Sequence, residues 1–440
     1  LNISEVEDMA RRFTSQGHRL VGPGDLADLY IFNTCAVTHV AARKSRQVIR
    51  QMRRANADAK VVVTGCYSQI EPEAIEALGV DLIVSNEDKD KLPELLSEAG
   101  WLKDSDPIPA IDAPSFIAFP EGEGQPKIDQ SPDHTRAFIK VQDGCDNRCT
   151  FCIVTIARGA GRSRTLSDIL AEIKRLTDLG YQEAVLSGVH LGSYGHDLGD
   201  SKGLQTLVSH ILAETDIPRV RLSSLEPWDL DAEFFELWQN KRLLPHLHLP
   251  LQSGSDETLR RMARHTTQAQ FSKLIEAAYT TIPDLSITTD IIVGFPGETD
   301  AEFAESLAFV EEMAFSRLHI FRYSKREGTV AAKMKGHVPS PVIQMRSQQM
   351  HTLNADLEET FRQKFIGRTM PVLWENSEPF GFGLQWSGLT DNYLRVIAQT
   401  NLDVDLRNKI INTHLAESAP AAIQGELPPP YANISFIFVN

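Results

Sequence analysis

The stretch Asp143-Gly-Cys-Asp-Asn-Arg-Cys-Thr-Phe-Cys152 carries three of the chain's five cysteines in one short loop. Its spacing of three residues and then two matches no common zinc pattern, and zinc would need a fourth ligand from elsewhere. Iron and sulfur fit better, because a four-iron cluster normally takes four cysteines and three leave one iron open to an exogenous ligand. The open iron indicates catalysis over simple electron storage.

Two alternatives remain for this loop. It could be a structural zinc knuckle, or its cluster could be completed by a distant cysteine or by a histidine such as His134. The preceding residues, 136–142, have the apolar pattern of a buried strand. The cysteines therefore follow the carboxyl end of a strand, which is where α/β folds build their sites.

Cys145, Cys149 and Cys152, with Phe151 before the last cysteine, resemble the signature of the radical S-adenosylmethionine enzymes. In that superfamily the open iron of a 4Fe-4S cluster binds the amino and carboxylate groups of S-adenosyl-L-methionine (SAM). The reduced cluster then cleaves SAM to a 5'-deoxyadenosyl radical. The resemblance thus implies an external reductant, places Phe151 among the cofactor-binding residues, and leaves the difficult chemistry to the cofactor.

Length and composition set the broad class. At 440 residues the chain is long enough for two to four domains. Its 44 basic and 59 acidic residues give a net charge of -15, which argues against a generally basic nucleic-acid surface but not against a local one. Five cysteines favour metal in a reducing compartment over disulfides. Without a signal peptide or an apolar run of membrane length, we expect a cytoplasmic protein with no membrane contact. We also expect a monomer.

Residues 1–102 alternate strand and helix patterns, which predicts a small doubly wound N-terminal domain. The predicted strands and helices between them are 29–32, 36–55, 61–63, 71–78, 82–84 and 88–99. Cys35 and Cys66 follow the first two strands, so both thiols should lie at one edge of the sheet. A lone cysteine after a strand is more often a small buried hydrophobe, but two at equivalent positions weaken that interpretation.

These cysteine segments resemble the amino-terminal domain of the methylthiotransferases, which carries three cysteines on a second, auxiliary 4Fe-4S cluster. Asn33-Thr-Cys-Ala-Val-Thr38 and Val63-Thr-Gly-Cys-Tyr-Ser-Gln69 match the second and third cysteine motifs of that domain. The first motif would fall just before Leu1, and the chain begins without methionine inside a helical pattern. We therefore expect a truncated amino terminus, with Cys35 and Cys66 supplying two of the three auxiliary ligands.

Two basic tracts are candidates for substrate contact. On the helix after Cys35, positions 43, 46, 50 and 53 share one face, so Arg46 and Arg50 could contact phosphates of tRNA, although a solvated basic face is the usual interpretation. After the cysteine loop, Arg158, Arg162 and Arg164 surround two glycines that would let the segment clamp a substrate. The alternative is that these arginines form salt bridges that hold the loop.

The rest of the chain predicts a linker at 103–134, a catalytic domain at 135–365 and a small C-terminal β-barrel at 366–440. The catalytic domain reads as six strand-helix units, an open (β/α)6 partial TIM barrel, with a long helix from Ser340 to about Phe365. Short β segments at 370–375, 393–398 and 434–439 indicate the barrel. In position it resembles the TRAM module of the methylthiotransferases.

Polar and glycine residues follow five successive barrel strands, which indicates a site at the barrel mouth. Each alone could be turn chemistry. By resemblance, the residues that bind SAM are Ser187, Gly188, Ser223 or Ser224, Gln252 and Gly294.

The resemblance implies a reaction that converts a carbon-hydrogen bond into carbon-SCH3. The tract Ser187-Gly-Val-His-Leu-Gly-Ser-Tyr-Gly195, together with Ile156-Ala-Arg-Gly159, looks most like the branch that modifies C2 of N6-threonylcarbamoyladenosine beside the tRNA anticodon. Other branches modify N6-isopentenyladenosine in tRNA or an aspartate of a ribosomal protein. An alternative of another class is a non-catalytic iron-sulfur protein that binds RNA or transfers electrons.

Overall fold

The computed structural model describes residues 2–22, 25–36, 39–102 and 135–431. The predicted linker at 103–134, the candidate ligand His134 and the predicted β segment at 434–439 lie outside these residues. By contacts, the chain divides into a first unit (Leu1–Asp133, Asp143–Arg162, Ser324–Ala332) and a second unit (His134–Gln142, Ser163–Tyr323, Lys333–Asn440). The predicted domain boundaries stay predictions.

The first unit begins with alternating helices and strands, as its sequence pattern predicts. They are α1 (Asn2–Ser15), β1 (Leu29–Thr34), α2 (His39–Ala55), β2 (Lys60–Gly65), α3 (Cys66–Ile70), α4 (Pro72–Glu76), β3 (Leu82–Ile83) and α5 (Leu92–Glu98). The strands form a parallel sheet in the order β1-β2-β3.

Alternate residues of β2 point to opposite faces of this sheet, so each face needs its own cover. Val61 and Val63 pack with Ile49 of α2 and Ile75 of α4. Val62 instead packs in a separate cluster with residues of α1 and α5, among them Met9, Phe13, Leu92 and Leu96. Helices on both faces of a parallel sheet confirm the predicted doubly wound domain.

The chain continues through the cysteine loop and the strand-helix units that follow it. Its next elements are β4 (Arg136–Lys140), β5 (Gln142–Asp143), α6 (Val154–Arg158), β6 (Arg162–Ser163), α7 (Leu166–Asp178), β7 (Glu183–Ser187), α8 (Gly203–Glu214), β8 (Arg219–Leu222), α9 (Ala232–Phe235), β9 (His246–His248), α10 (Asp256–Arg261), α11 (Gln268–Thr281), β10 (Ser286–Val293), α12 (Asp300–Glu312), β11 (Arg317–Arg322) and α13 (Ser340–Gln363). Of these, α6 belongs to the first unit.

In the second unit six strands pair in parallel and in chain order. β4, β7 and β8 form one ladder, and β9, β10 and β11 form another. A parallel bridge between Ser224 and His248 and a 2.9 Å hydrogen bond from Leu225 N to His248 O join β8 to β9. This order confirms the open (β/α)6 barrel.

The helices of this barrel cover its outer surface. Every second residue of each strand points outward and is buried against these helices. Ile139, Leu186, Leu222, Leu247 and Ile291 lie in one apolar core and are at most 1% exposed. Residues of opposite parity face inward, and at one end of the strands these include buried charges. The inward face is therefore the polar one.

Five strands form a closed barrel at the C-terminal end of the second unit: β12 (Thr369–Phe380), β13 (Gly383–Thr390), β14 (Arg395–Thr400), β15 (Ile410–Ala419) and β16 (Ala422–Glu426). Their order is β12-β13-β14-β16-β15, and a parallel β14–β16 pair contributes to the closure. Trp374 and Trp386 fill the interior, at no more than 1% exposure. The predicted small β-barrel is confirmed.

No described helix combines the length and the apolar character that crossing a membrane requires.

Candidate iron-sulfur and substrate sites

The loop that carries Cys145, Cys149 and Cys152 follows β4 in the chain and is held by its own backbone. Cys145 N donates to Gly159 O at 3.0 Å, and Cys152 N donates to Cys149 O at 3.1 Å. Gly144 has φ of +75°, and a Cβ there would lie 1.9 Å from Ala160 O. Only glycine fits this turn, so the sequence forces the loop into a tight bend just before its first cysteine.

All three thiols of this loop are half-buried and none forms a disulfide. Among the described residues, no three or more His, Cys, Asp or Glu side chains gather around one point, as a single metal ion would need. Three thiolates in one loop are donors of the kind that hold three irons of a 4Fe-4S cluster.

Cys35 and Cys66 lie at the same edge of the N-terminal sheet. Cys35 directly follows Thr34 at the end of β1, and Cys66 directly follows Gly65 at the end of β2. Thr34 and Gly65 are paired across the two neighbouring strands. Gly65 has φ of +97°, and a Cβ there would meet Thr34 O at 2.3 Å, so only glycine allows the strands to approach this closely. Cys66 is buried and Cys35 is half-buried. Two thiols at one edge suit a shared metal centre.

Arg158, predicted as a substrate contact, is buried in an ion network of the first unit. Its Nη1 donates to Glu5 Oε1 at 2.7 Å and to Asp143 Oδ1 at 2.9 Å, and its Nε donates to Cys66 Sγ at 3.2 Å. Burial disfavours the charged guanidinium, but the hydrogen bond and charge of Glu5 raise its pKa above the ordinary value. Of the two roles that the sequence left open, the structure shows the salt bridges.

The other two arginines of that tract differ from each other. Arg164 Nη1 donates to Lys140 O at 2.9 Å and pairs with Glu172 at 2.7 Å. Arg162 is exposed. Of this tract, Arg162 has the side chain best placed to meet a substrate, and a substrate role for it stays a prediction.

The predicted SAM residues lie after strands of the second unit, and two of them have unusual environments. Ser223 Oγ is buried and has no hydrogen-bond partner among the described residues. Gln252 has φ of 74° and is 8% exposed. A buried hydroxyl without a partner and a non-glycine residue in the left-handed region both occur preferentially at ligand sites.

The remaining predicted SAM residues allow close backbone approach or line the strand ends. Ser187 is buried at the end of β7, whereas Ser224 is exposed. A Cβ on Gly188 would lie 3.1 Å from Gln142 Oε1. Gly294 has φ of +78°, and a Cβ there would lie 2.4 Å from Ile343 Cγ1.

Gly294→Ala should weaken SAM binding and lower stability, because the methyl group meets Ile343 and the backbone is unfavourable for alanine. Gly79→Ala is the matched control, since Gly79 has φ of +73° but nothing within 4 Å of an added Cβ. The control should lose about 1 kcal/mol of unfolding free energy from backbone strain alone. Urea denaturation and SAM titration would test this, and equal losses in both variants would contradict it.

The basic face of α2 is mostly as predicted. A surface depression is lined by Arg43, Arg46, Gln47, Arg50, Gln51 and Arg54. Arg46 lies over the ring of Tyr67, with 5.5 Å from its Cζ to the ring centroid. Arg53, also predicted on this face, donates to Gly79 O and Ala59 O and pairs with Asp81 at 2.6 Å.

Sequence reasoning missed two polar pairings. His190, noticed only as a branch marker, has its Nε2 2.6 Å from Asp229 Oδ2. Lys89 lies in the first unit and pairs with the buried Glu5, 84 residues away in the chain. No local pattern reports a partner at such a distance, so the sequence offered no signal for Lys89.

Family models match two parts of the chain. The radical SAM superfamily model matches residues 139–310, which include the cysteine loop and most barrel strands. A second model, described as uncharacterized protein family UPF0004, matches residues 1–85.

Several relatives resemble this chain over most of its length. Threonylcarbamoyladenosine tRNA methylthiotransferase MtaB of Bacillus subtilis is 34% identical over 429 residues, which are 97% of this chain and 94% of the relative. The protein of that name from Thermotoga maritima is 37% identical, over 85% of this chain and 84% of the relative. The tRNA-2-methylthio-N(6)-dimethylallyladenosine synthase of Novosphingobium aromaticivorans is 33% identical, over 97% and 95%.

Among solved structures, the radical S-adenosylmethionine methyltransferase TsrM from Kitasatospora setae matches with a TM-score of 0.52 and 17% identity. The match covers 73% of this chain and 68% of that one, and it concerns the fold alone. Because relatives at 34% and 37% identity extend over most of the chain, and the radical SAM model spans its cysteine loop, this chain belongs to the radical SAM tRNA methylthiotransferases, a family of enzymes that use a 4Fe-4S cluster and SAM.

Proposed function

We propose that this enzyme adds a methylthio group at C2 of N6-threonylcarbamoyladenosine in tRNA, using two 4Fe-4S clusters. The observation that carries the proposal is the presence of two cysteine centres in one chain. Three thiols lie in the loop after β4, and Cys35 and Cys66 share one edge of the N-terminal sheet. A radical enzyme without sulfur insertion needs only the first of them.

Each centre has a separate role in the proposal. Cys145, Cys149 and Cys152 would hold the radical cluster, which would supply radical chemistry at the substrate carbon when SAM is bound. Cys35 and Cys66 would supply two of the thiolates of the auxiliary cluster, which would serve as the source of the inserted sulfur. We assign no side chain as a general acid or base.

The residues at the strand ends bind and orient SAM in this proposal. Ser223 offers a buried hydroxyl with no hydrogen-bond partner among the described residues, and Gly188 and Gly294 let Gln142 and Ile343 pack closely against the strand ends. Ser187, Ser224, Gln252 and Phe151 complete the proposed cofactor set. An external one-electron reductant and a monomeric state stay predictions.

Overall identity does not choose the substrate, because the threonylcarbamoyl and dimethylallyl relatives are 34% and 33% identical to this chain. The support comes from the tract around His190, which resembles the threonylcarbamoyl branch. In the structure His190 is buried and fixed, since its backbone N donates to Gln142 Oε1 at 2.9 Å and its ring pairs with Asp229. The residue on which the resemblance rests is thus held in one place by the fold.

The test is a direct competition between two tRNA anticodon-loop substrates, one with threonylcarbamoyladenosine and one with dimethylallyladenosine. Reconstituted enzyme, SAM and dithionite are supplied, and methylthio nucleosides are measured by mass spectrometry. We expect product from the first substrate only. Product only from the second would move the enzyme to the other branch, and SAM cleavage without either product would contradict both.

Charge reversal on the basic face of α2 should weaken tRNA binding. Arg46→Glu with Arg50→Glu replaces two phosphate-contacting cations by anions, so we expect at least about a tenfold loss of affinity and a smaller salt dependence. Iron content should not change. Arg260→Glu, an exposed arginine on α10, is the matched control. Unchanged affinity of the α2 variant in a filter-binding titration would show that tRNA binds elsewhere.

A further inference from the structure

A buried set of charges in the first unit has no part in the chemistry proposed above. We call it the Arg158 network, and it consists of Arg158, Glu5, Lys89 and Asp143. Their side chains are only 1% to 11% exposed. Two cations face two carboxylates, so the charges of these four side chains sum to zero. Buried ion sets of this kind are weak sources of stability, which leaves room for a specific role.

Arg158 also makes a contact with Cys66 that charge balance does not require. Nη1 satisfies Glu5 and Asp143, whereas Nε donates to Cys66 Sγ at 3.2 Å. The guanidinium is planar and rigid, so the directions of its N–H groups are fixed relative to one another. The position of the Cys66 sulfur is therefore set relative to the Asp143 carboxylate.

The network also reaches the backbone that leads to the other cysteines. Asp143 Oδ1 accepts a 2.9 Å hydrogen bond from the next backbone N–H in the chain, directly before Cys145. Glu5 Oε2 accepts a 2.9 Å hydrogen bond from Asn33 Nδ2, two residues before Cys35. One buried side chain, Arg158, thus connects the segments of both cysteine centres.

A second buried arginine of the first unit lies near the other auxiliary cysteine. Arg326 is 7% exposed and within electrostatic reach of Cys35 and Glu71. Positive charge in this part of the first unit suits a centre that carries negative charge.

On the basis of the two-cluster part of the proposed function, we propose that Arg158 is a positioning residue of the auxiliary centre. It donates a hydrogen bond to the ligand sulfur of Cys66 and ties that sulfur to the loop that carries Cys145. A hydrogen bond and a positive charge at a ligand sulfur favour the reduced cluster and so raise its reduction potential. An arginine with a merely structural role would hold the carboxylates without changing that potential.

The experiment compares Arg158→Met with Lys89→Met in the reconstituted full chain. Both variants remove one buried cation beside Glu5 and Asp143, but only Arg158→Met removes the donor at Cys66. Reduction potentials are measured by EPR-monitored redox titration, and iron is measured in parallel. We expect the auxiliary potential to fall in Arg158→Met and to stay near the wild-type value in Lys89→Met. If Arg158→Met does not fold, Arg158→Lys keeps the charge, loses Nε, and should give a smaller fall.

The outcomes separate this inference from the proposal beneath it. Equal auxiliary potentials in the arginine and lysine variants, with about eight irons in each, would overturn the role of Arg158 and leave two clusters in place. A wild-type chain that is reconstituted with an added small thiol as the third auxiliary ligand, and still holds about four irons with none lost in Cys66→Ala, would overturn the two-cluster proposal and this inference with it.

Discussion

Cys152→Ala should abolish SAM cleavage. In the proposed assignment, three thiolates hold three irons of the radical cluster, and removing one leaves two irons without a protein ligand, so the cluster should not persist. We expect iron to fall by about four per chain and 5'-deoxyadenosine to drop to the level of an enzyme-free reaction. Anaerobic iron and sulfide analysis, with chromatography of the nucleoside, measures both. Because Cys152 is only half-buried, the fold should survive, which circular dichroism would check.

Cys35→Ala is the companion variant, and it separates the role of the auxiliary cluster from that of the radical cluster. It should retain the radical cluster and still cleave SAM, but it should form no methylthio nucleoside. The two cysteine centres would then separate into radical formation and sulfur delivery. Cleavage of SAM by Cys152→Ala at the wild-type rate would refute the assignment of the loop, and methylthio product from Cys35→Ala would refute that of the sheet edge.

Glu183→Gln should have the largest effect on stability. Glu183 begins β7, is fully buried, and pairs with Arg221 at 2.7 Å and Arg219 at 3.0 Å. Removing its charge leaves two buried guanidinium groups facing a neutral amide. Breaking a buried charge set by removing one partner costs about 3–5 kcal/mol of unfolding free energy. Urea denaturation of the two proteins at neutral pH measures the difference.

The Glu183 carboxylate also makes the free energy of unfolding depend on pH. Burial alone would raise the pKa of Glu183, but the charges of Arg221 and Arg219 lower it to about 2, from an ordinary value of 4.5. The folded state therefore binds this proton less readily than the unfolded chain does. The stabilisation is complete above about pH 4.5 and is lost as the pH falls towards 2. In Glu183→Gln this part of the acid sensitivity should disappear.

Glu233→Gln is the control, since Glu233 makes an exposed ion pair with Lys202 at 2.6 Å. Exposed pairs contribute little because water and salt screen them. We expect no measurable change in its unfolding midpoint. A Glu183 variant as stable as this control would mean that Arg219 and Arg221 find sufficient partners elsewhere. Their hydrogen bonds to the carbonyls of Thr390 and Asp391 are the groups to examine in that case.

The sequence predicted the strands well because each barrel strand is a short apolar run with a turn behind it. The strands β7 and β10, for example, contain core residues such as Leu186 and Ile291. The shared edge of Cys35 and Cys66 was also predictable, since consecutive parallel strands end on the same side of a sheet. The spacing of apolar residues thus predicts the strands, and the order of parallel strands predicts which residues share an edge of the sheet.

Side-chain partners were not predictable in the same way. Arg158 binds Glu5, 153 residues away, and Arg53 binds Gly79 O and Asp81. Such pairings depend on which loops meet after folding, and a single sequence does not record them. The orphaned hydroxyl of Ser223 is likewise visible only when its surroundings are known.

The closed C-terminal barrel has a consequence for how it can meet a partner. Each of its five strands already has a neighbour on both sides, and the parallel β14–β16 pair occupies edges that would otherwise be open. Among the described residues, the closure leaves only short stretches of strand paired on one side, so a strand from another chain finds little edge to extend. Recognition through this barrel is therefore expected to use side chains or turns, such as the fully exposed Phe382 in the turn between β12 and β13, more than extension of its sheet.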